Sequence, residues 1–368
     1  MMVDTARSIL AFLLVLGVLV FVHEMGHYLA ARWRGVHVEA FSIGFGRPIT
    51  SWTDRLGTVW KLSWIPLGGY VKLHGQERPE DVSDVVRATW IDGRTFQEKS
   101  VLSRAIVVAA GPIANFVLAI VVFALLFGIV GRSPSIPVIG EIMADSAASH
   151  STLQKDDRVT AIDGEPVQRF DDIRRIVSVN PGKSLVLHVV RQGQEQDVTV
   201  VAGTSEDSRG NKTGLLGVRG ALGEPQRLGP VQAVIAGTTQ TWDIIAQTFQ
   251  GLGQMISGKR GSEELGGPLR IAEMSGQVAK LGLTSLVGFI ALLSVNLGLI
   301  NLFPIPVLDG GHLVFYAVEA VRGRPLPARA QEFSYRAGLA VLATLFVFAT
   351  WNDLTHLGLF RWVGSLIG

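Results

Sequence analysis

The chain has 368 residues, of which 48% are hydrophobic and only 17% charged, with a formal net charge of +2 and no cysteine. Disulfides and thiolate metal sites are excluded, so any bound metal must be held by His, Asp or Glu. No basic run with interleaved aromatics is present, which argues against nucleic acid as a partner.

The apolar residues come in blocks separated by ordinary polar stretches, the pattern of a membrane protein. The first block, Ala6 to Ala31, is longer than a signal-peptide core, which runs about 7–15 residues, and it reads as a retained transmembrane helix. It is followed by some 70 polar residues containing "FSIGFGRP" and "VWKLSWIPLGGYVKL". Alternating apolar residues and glycine pairs there predict short strands and tight turns against the membrane. A second span is expected over Val101 to Val130.

Strand-like runs such as "DRVTAIDGEPV" and "SLVLHVVRQ" alternate with helical patches after Arg132. Their strand–helix–strand–helix–strand–strand order resembles a PDZ domain of the bacterial type, with a cue at Leu153 to Gly164. Such domains bind extended peptides by strand addition. Residues 228–256 are amphipathic, suited either to the membrane surface or to packing on the PDZ-like region. A third span begins near Leu283 and a fourth covers roughly Ala337 to Phe360.

The expected architecture is an α-helical membrane protein of about four transmembrane helices, with a small membrane-associated β element and an inserted α+β PDZ-like domain. The expected divisions are 1–131 for the first two helices and the β loop, 132–203 for the PDZ-like domain, 204–282 for a connector, and 283–368 for the last two helices. Arg322, Arg324, Arg329 and Arg336 place the connection between helices three and four in the cytoplasm. The PDZ-like region and both termini then lie outside.

Inside the first block stands "HEMGH". On a helix, His23 and His27 lie one turn apart on one face and suit two ligands of one Zn²⁺, with Glu24 beside them as acid/base. Ionisable residues are disfavoured in membrane helices, so a chance match there is improbable. A catalytic zinc needs one more protein ligand. Asp309, in "NLFPIPVLDGGH", is the strongest candidate, because Pro304, Pro306, Gly310 and Gly311 break the helix around it. Capping of the following helix is an alternative role for Asp309. His312, Glu319 and Asp353 are weaker candidates for the third ligand. Asn301, just before the break, suits binding of a reacting carbonyl or the substrate backbone. Asn115, in "GPIAN", suits an interhelical hydrogen bond supporting the break or the zinc helix.

These residues resemble the site-2 protease family of intramembrane zinc metalloproteases, most closely its bacterial RseP-type regulators of σ-factor release. The resemblance rests on HEMGH, "IPLGGYVKL", "GPIANF", the PDZ region and "NLFPIPVLDGGH", and spans nearly the whole chain. It implies one Zn²⁺ per chain, held by His23, His27 and Asp309, with Glu24 as the catalytic acid/base. It further implies that Gly68, Gly69 and Tyr70 form a membrane-dipping β element beside the substrate. Asn301 with Pro304 and Pro306 would help hold an unwound substrate helix. The implied location is the bacterial inner membrane. The implied substrates are transmembrane proteins such as a trimmed anti-σ factor, and leftover signal peptides. RseP-type proteins carry two tandem PDZ domains, and one is legible here. Two other classes compete on sequence alone. A metal transporter would use the broken helix as its site, but no inverted repeat is visible. A non-catalytic membrane-anchored PDZ scaffold leaves Glu24 unexplained.

Overall fold

The computed structural model describes residues 2–77, 82–206, 212–258 and 266–356. The chain forms two compact units, one of Met1–Ala124, Val234–Gln250 and Ser262–Gly368, the other of Leu125–Ala233 and Gly251–Gly261. The first helix, α1 (Met2–Trp33), is 32 residues long. At 1.5 Å per residue that is about 48 Å, more than a hydrocarbon core of about 30 Å. A long hairpin follows, β1 (Val38–Thr53) and β2 (Val59–Leu73). It bends so that Phe41 of β1 pairs with both Val71 and Trp60 of β2. The residues nearest α1 are buried, whereas Ile49, Trp52, Trp64 and Ile65 are exposed. A short helix α2 (Asp84–Arg87) precedes α3 (Val101–Ile129). Tyr28, Ala31, Phe41, Phe96 and Val107 join α1, the hairpin and α3 in one apolar core.

The second unit contains a small sheet. Its strands are β3 (Ser135–Ile142), β4 (Arg158–Ile162), β5 (Glu165–Pro166), and, after α4 (Phe170–Ser178), β6 (Ser184–Arg191) and β7 (Gln194–Val201). Next come β8 (Gly203–Glu206), β9 (Lys212–Leu215) and β10 (Val218–Leu222). The main path runs β10-β3-β4-β6-β7, with β5 paired to β4 and β8 to β9. Alternation sets the faces: Leu185, Leu187 and Val189 of β6 point inward with Val198 and Val200 of β7. The three- and four-residue spacing of Ile173, Ile176 and Val177 buries one face of α4 in the same core. This is the PDZ-like order expected from sequence. The sheet continues past residue 203, because β10 pairs antiparallel with β3. The last strands are only four or five residues long and glycine-punctuated, so by pattern they read as connector.

The remaining helices are α5 (Pro230–Ile256), α6 (Pro268–Lys280), α7 (Leu283–Asn301), α8 (Asp309–Arg322) and α9 (Ala328–His356). Four helices among the described residues are long and apolar enough to cross a membrane: Thr5–Trp33, Val101–Ile129, Leu283–Asn301 and Ala328–Thr355. The fourth starts earlier than Ala337, since the polar segment before it is also helical; its expected end at Phe360 lies outside the described residues. The amphipathic α5 packs on membrane helices. Its Gly237 abuts the Ile120 carbonyl of α3, and Thr248 donates to Asn296 of α7 at 3.3 Å. Asp353, considered above as a metal ligand, instead accepts from the backbone N–H groups of Gly267, Leu269 and Arg270 at 2.8–3.1 Å. It thereby caps α6 from another helix.

The PDZ-like core contains one fully buried carboxylate, Asp157, at 0% exposure. Arg191 Nε and Nη2 each donate to it at 2.7 Å, and the Gln154 N–H donates at 2.8 Å. Burial pushes its pKa up, but the guanidinium and the backbone N–H outweigh burial and hold the carboxyl below its usual range. A depressed folded-state pKa stabilises the fold above the unfolded value near 4 and ceases to do so as pH falls through the folded value. Asp157→Asn should therefore destabilise this unit at pH 7, since it removes the carboxylate that pairs with Arg191 and the Gln154 N–H. The difference from the wild type should shrink in acid. Limited proteolysis of the full-length protein across pH 3–7 measures this, and equal protection at neutral pH would refute it.

Candidate metal centre and active site

The site is assembled where α1, α3, α8 and the hairpin meet. His23 Nε2 lies 3.2 Å and His27 Nε2 3.5 Å from Asp309 Oδ2, and the two imidazole nitrogens are 3.3 Å apart. His23, His27 and Asp309 are the one metal-capable group of three found among the described residues. The triangle fits a metal. Tetrahedral bonds of about 2.0–2.1 Å require ligand atoms about 3.3 Å apart. Asp309 Oδ2 is buried and makes hydrogen-bond geometry with neither imidazole, which leaves it an orphaned acceptor at the centre of the group. Two imidazole nitrogens and a carboxylate oxygen are a donor set that suits Zn²⁺.

The spacing of four in HEMGH is answered by a spacing of four on α3. Gly111 faces His27, and a Cβ there would clash with the Nε2 edge of the imidazole ring. Asn115, one turn on, approaches His23 Nδ1 at 3.1 Å. His27 Nδ1 donates to the Val107 carbonyl at 2.9 Å. Because a carbonyl only accepts, that bond puts the His27 proton on Nδ1 and leaves Nε2 free to bind. "GPIAN" is thus the surface on which both histidines rest.

Asp309 is the first residue of α8, preceded by the Leu308 cap, and no side-chain capping bond accompanies it. The capping alternative is set aside. Pro304 and Pro306 lie in the break between α7 and α8, and Val307 there holds φ +98°, a strained value for a β-branched residue. Gly310 and Gly311 pack against the carbonyls of Leu302, Phe303 and Ile305, where a Cβ has no space. The break therefore folds back onto its own helix start, which fixes Asp309. The third turn of α8 is braced: Arg104 of α3 donates to both oxygens of Glu319 at 2.6 and 3.2 Å and lies over the Tyr316 ring. Glu319 is consumed by this pair and is not among the three clustered groups. His312 lines the same cavity but is not one of the three clustered groups, and its Nδ1 lies 3.3 Å from the Tyr335 hydroxyl of α9.

Glu24 is positioned by the hairpin. Its carboxylate accepts from the Val71 N–H of β2. Gly69 passes so close that a Cβ would sit 2.7 Å from the Ser42 carbonyl, 2.8 Å from Val20 and 3.0 Å from Glu24 Cγ. Gly68 and Tyr70 flank it on the same strand. The four central residues open into a cavity of about 780 Å³ that Tyr70 and Asn301 also line. Asn301 also donates from Nδ2 to the Leu297 carbonyl at 3.0 Å. Sequence reasoning missed Val71, Val107 and the Arg104–Glu319 brace. The first two act through backbone atoms, which leave no residue-type signal. A buried arginine opposite a helical glutamate was the available signal for the third.

Comparison with known proteins gives the family. A model of peptidase family M50 matches residues 11–345. A protein of Agrobacterium fabrum named "Putative zinc metalloprotease" is 46% identical over 361 residues, covering 95% of this chain and 96% of its own. Metalloprotease MmpA of Caulobacter vibrioides is 37% identical, covering 99% of this chain and 100% of its own. Regulator of sigma-E protease RseP of Escherichia coli is 33% identical, covering 94% of this chain and 98% of its own. Among solved structures, the PDZ domain of an SdrC-like protein from Listeria monocytogenes aligns with 24% of this chain and 92% of its own, at 14% identity and a TM-score of 0.21. With its four membrane-length helices, the chain is a multi-pass membrane protein that belongs to peptidase family M50, the site-2 protease family of zinc metalloproteases.

Proposed function

We propose that this chain is an intramembrane zinc endopeptidase that cuts single-span membrane proteins. The observation that carries the reading is the convergence of His23, His27 and Asp309 within 3.2–3.5 Å, with Glu24 on the same helix turn. These three side chains would hold one Zn²⁺, which when bound supplies a Lewis acid to polarise the scissile carbonyl and activate water. Glu24, held by the Val71 N–H, takes the proton of the attacking water and delivers it to the leaving amide nitrogen. The strand Gly69–Val71 lies against the cavity, where an extended segment of substrate can pair with backbone groups. Asn301, at the rim of the break, would meet the substrate backbone, with Val307 and Leu308 lining the adjacent wall where Pro304 and Pro306 have interrupted the helix. A transmembrane helix must unwind to present a peptide bond there, and the hairpin offers it replacement hydrogen bonds.

The arginines between α8 and α9 favour a cytoplasmic location for that connection. The PDZ-like domain and both termini are then periplasmic in a bacterial inner membrane, and the exposed apolar tip of the hairpin enters the bilayer. The Escherichia coli relative is named for sigma-E regulation, which supports an anti-σ factor already trimmed outside the membrane as a substrate. Signal-peptide remnants share the same chemistry. The PDZ-like domain would contact peptide or substrate and restrict access.

Glu24→Gln should retain zinc and lower cleavage of a single-span substrate in proteoliposomes by about 10²–10⁴-fold, the usual worth of a general base. Turnover at the wild-type rate would sink the mechanism. Asp309→Asn should reduce the zinc content of purified protein, and an unchanged metal analysis would point to another third ligand. Gly69→Ala inserts a methyl between β2 and Glu24. It should lower kcat by about 10–100-fold with zinc unchanged, since small misplacements of catalytic groups cost that much. An unaltered kcat would separate the strand from catalysis.

A further inference from the structure

Asn115 is fully buried on α3, and its backbone carbonyl accepts from Ser294 Oγ of α7 at 2.8 Å. Gly298 of α7 packs against its Cβ, so the residue has no room to retreat. Its amide nitrogen lies 3.1 Å from His23 Nδ1, while its amide oxygen is buried with no hydrogen-bond partner. In that orientation the amide donates to Nδ1, and the His23 proton sits on Nε2, facing the free Nε2 of His27 at 3.3 Å. The arrangement suits a metal-free site. It is incompatible with ligation through Nε2, which requires the proton on Nδ1 and an acceptor facing it. A half-turn of the amide about χ2 exchanges the two atoms in place. It pairs the orphaned oxygen with Nδ1–H and needs no backbone movement.

We infer that Asn115 is a positioning residue of the metal centre, whose amide turns so that its Oδ1 accepts the His23 Nδ1–H when Nε2 binds metal. This rests on the zinc reading given above and deepens it. Gly111 and Asn115 then serve the two histidines differently. His27 is held permanently in the binding tautomer by the Val107 carbonyl, whereas His23 changes tautomer with metal occupancy.

The test compares wild type, Asn115→Asp, which offers acceptors only, and Asn115→Leu, which has similar bulk and neither donor nor acceptor. Zinc affinity is read by chelator competition on the full-length protein in detergent. The His23 Nδ1 proton is read by NMR of zinc-loaded, ¹⁵N-histidine-labelled protein. The expected result is zinc held at least as tightly by the Asp variant and about 10–100-fold more weakly by the Leu variant, the usual cost of losing such a support. The wild type should show an exchange-protected His23 Nδ1 proton. A Leu variant within twofold of wild type, or an Asp variant as weak as Leu, overturns the inference while leaving the zinc reading intact. Wild-type protein that binds no zinc overturns both. Should the Leu variant fail to fold, a rapidly exchanging Nδ1 proton in the wild type is decisive against the inference.

Discussion

Everything in the membrane unit answers one electrostatic constraint: charges placed within membrane-spanning helices must be paired, ligated or hydrogen-bonded, because lipid solvates none of them. Three ionisable groups on α1 and one on α8 meet this constraint together. His23, His27 and Asp309 present their donor atoms to a common point, and Glu24 finds a backbone N–H on the hairpin. Apart from the 3.3 Å contact between the two imidazoles of α1, these side chains find their partners on other elements. The site therefore exists only when α1, α3, α8 and β2 are assembled.

That dependence explains the irregular parts of the fold. A continuous helix through residues 301–309 would leave Asp309 at whatever azimuth its position dictated. The break instead bends the chain, stores strain at Val307 and seats Gly310 and Gly311 on the carbonyls they follow. The bidentate Arg104–Glu319 pair then ties α8 to the same helix that carries Gly111 and Asn115. The proposed metal ligands, from opposite ends of the chain, are thus referenced to one helix, α3. The hairpin is a second reference. Its backbone sets Glu24 and at the same time exposes a strand to the cavity, so the proposed substrate pairing and the proposed acid/base share one element.

Much of the site was legible from residue types. HEMGH is local, and its chemistry follows from helical spacing alone. Asp309 was legible because a carboxylate among prolines and glycines in an apolar segment has few other uses. Glu319 and Asp353 were weaker candidates on position, and the fold occupies each elsewhere, with Arg104 and with the α6 N-terminus. The PDZ-like core was legible through alternation in β6 and β7 and the helical spacing in α4. The final strand was not, because a short glycine-rich strand acquires its identity only by pairing with β3, far back in the chain.

The sequence by itself determined the number of membrane-length helices, the donor types available to a metal and the pairing of two histidines on one helix face. Each of these follows from composition and local period: apolar length measures a span, and a spacing of four defines a helix face. Only the tertiary structure decided which carboxylate lies beside the two imidazoles, which carbonyl orients His27, and which strand restrains Glu24. Those are contacts between segments up to nearly three hundred residues apart, several made through backbone atoms that are chemically alike at every position. A pattern of side chains carries no record of them until packing brings the segments together.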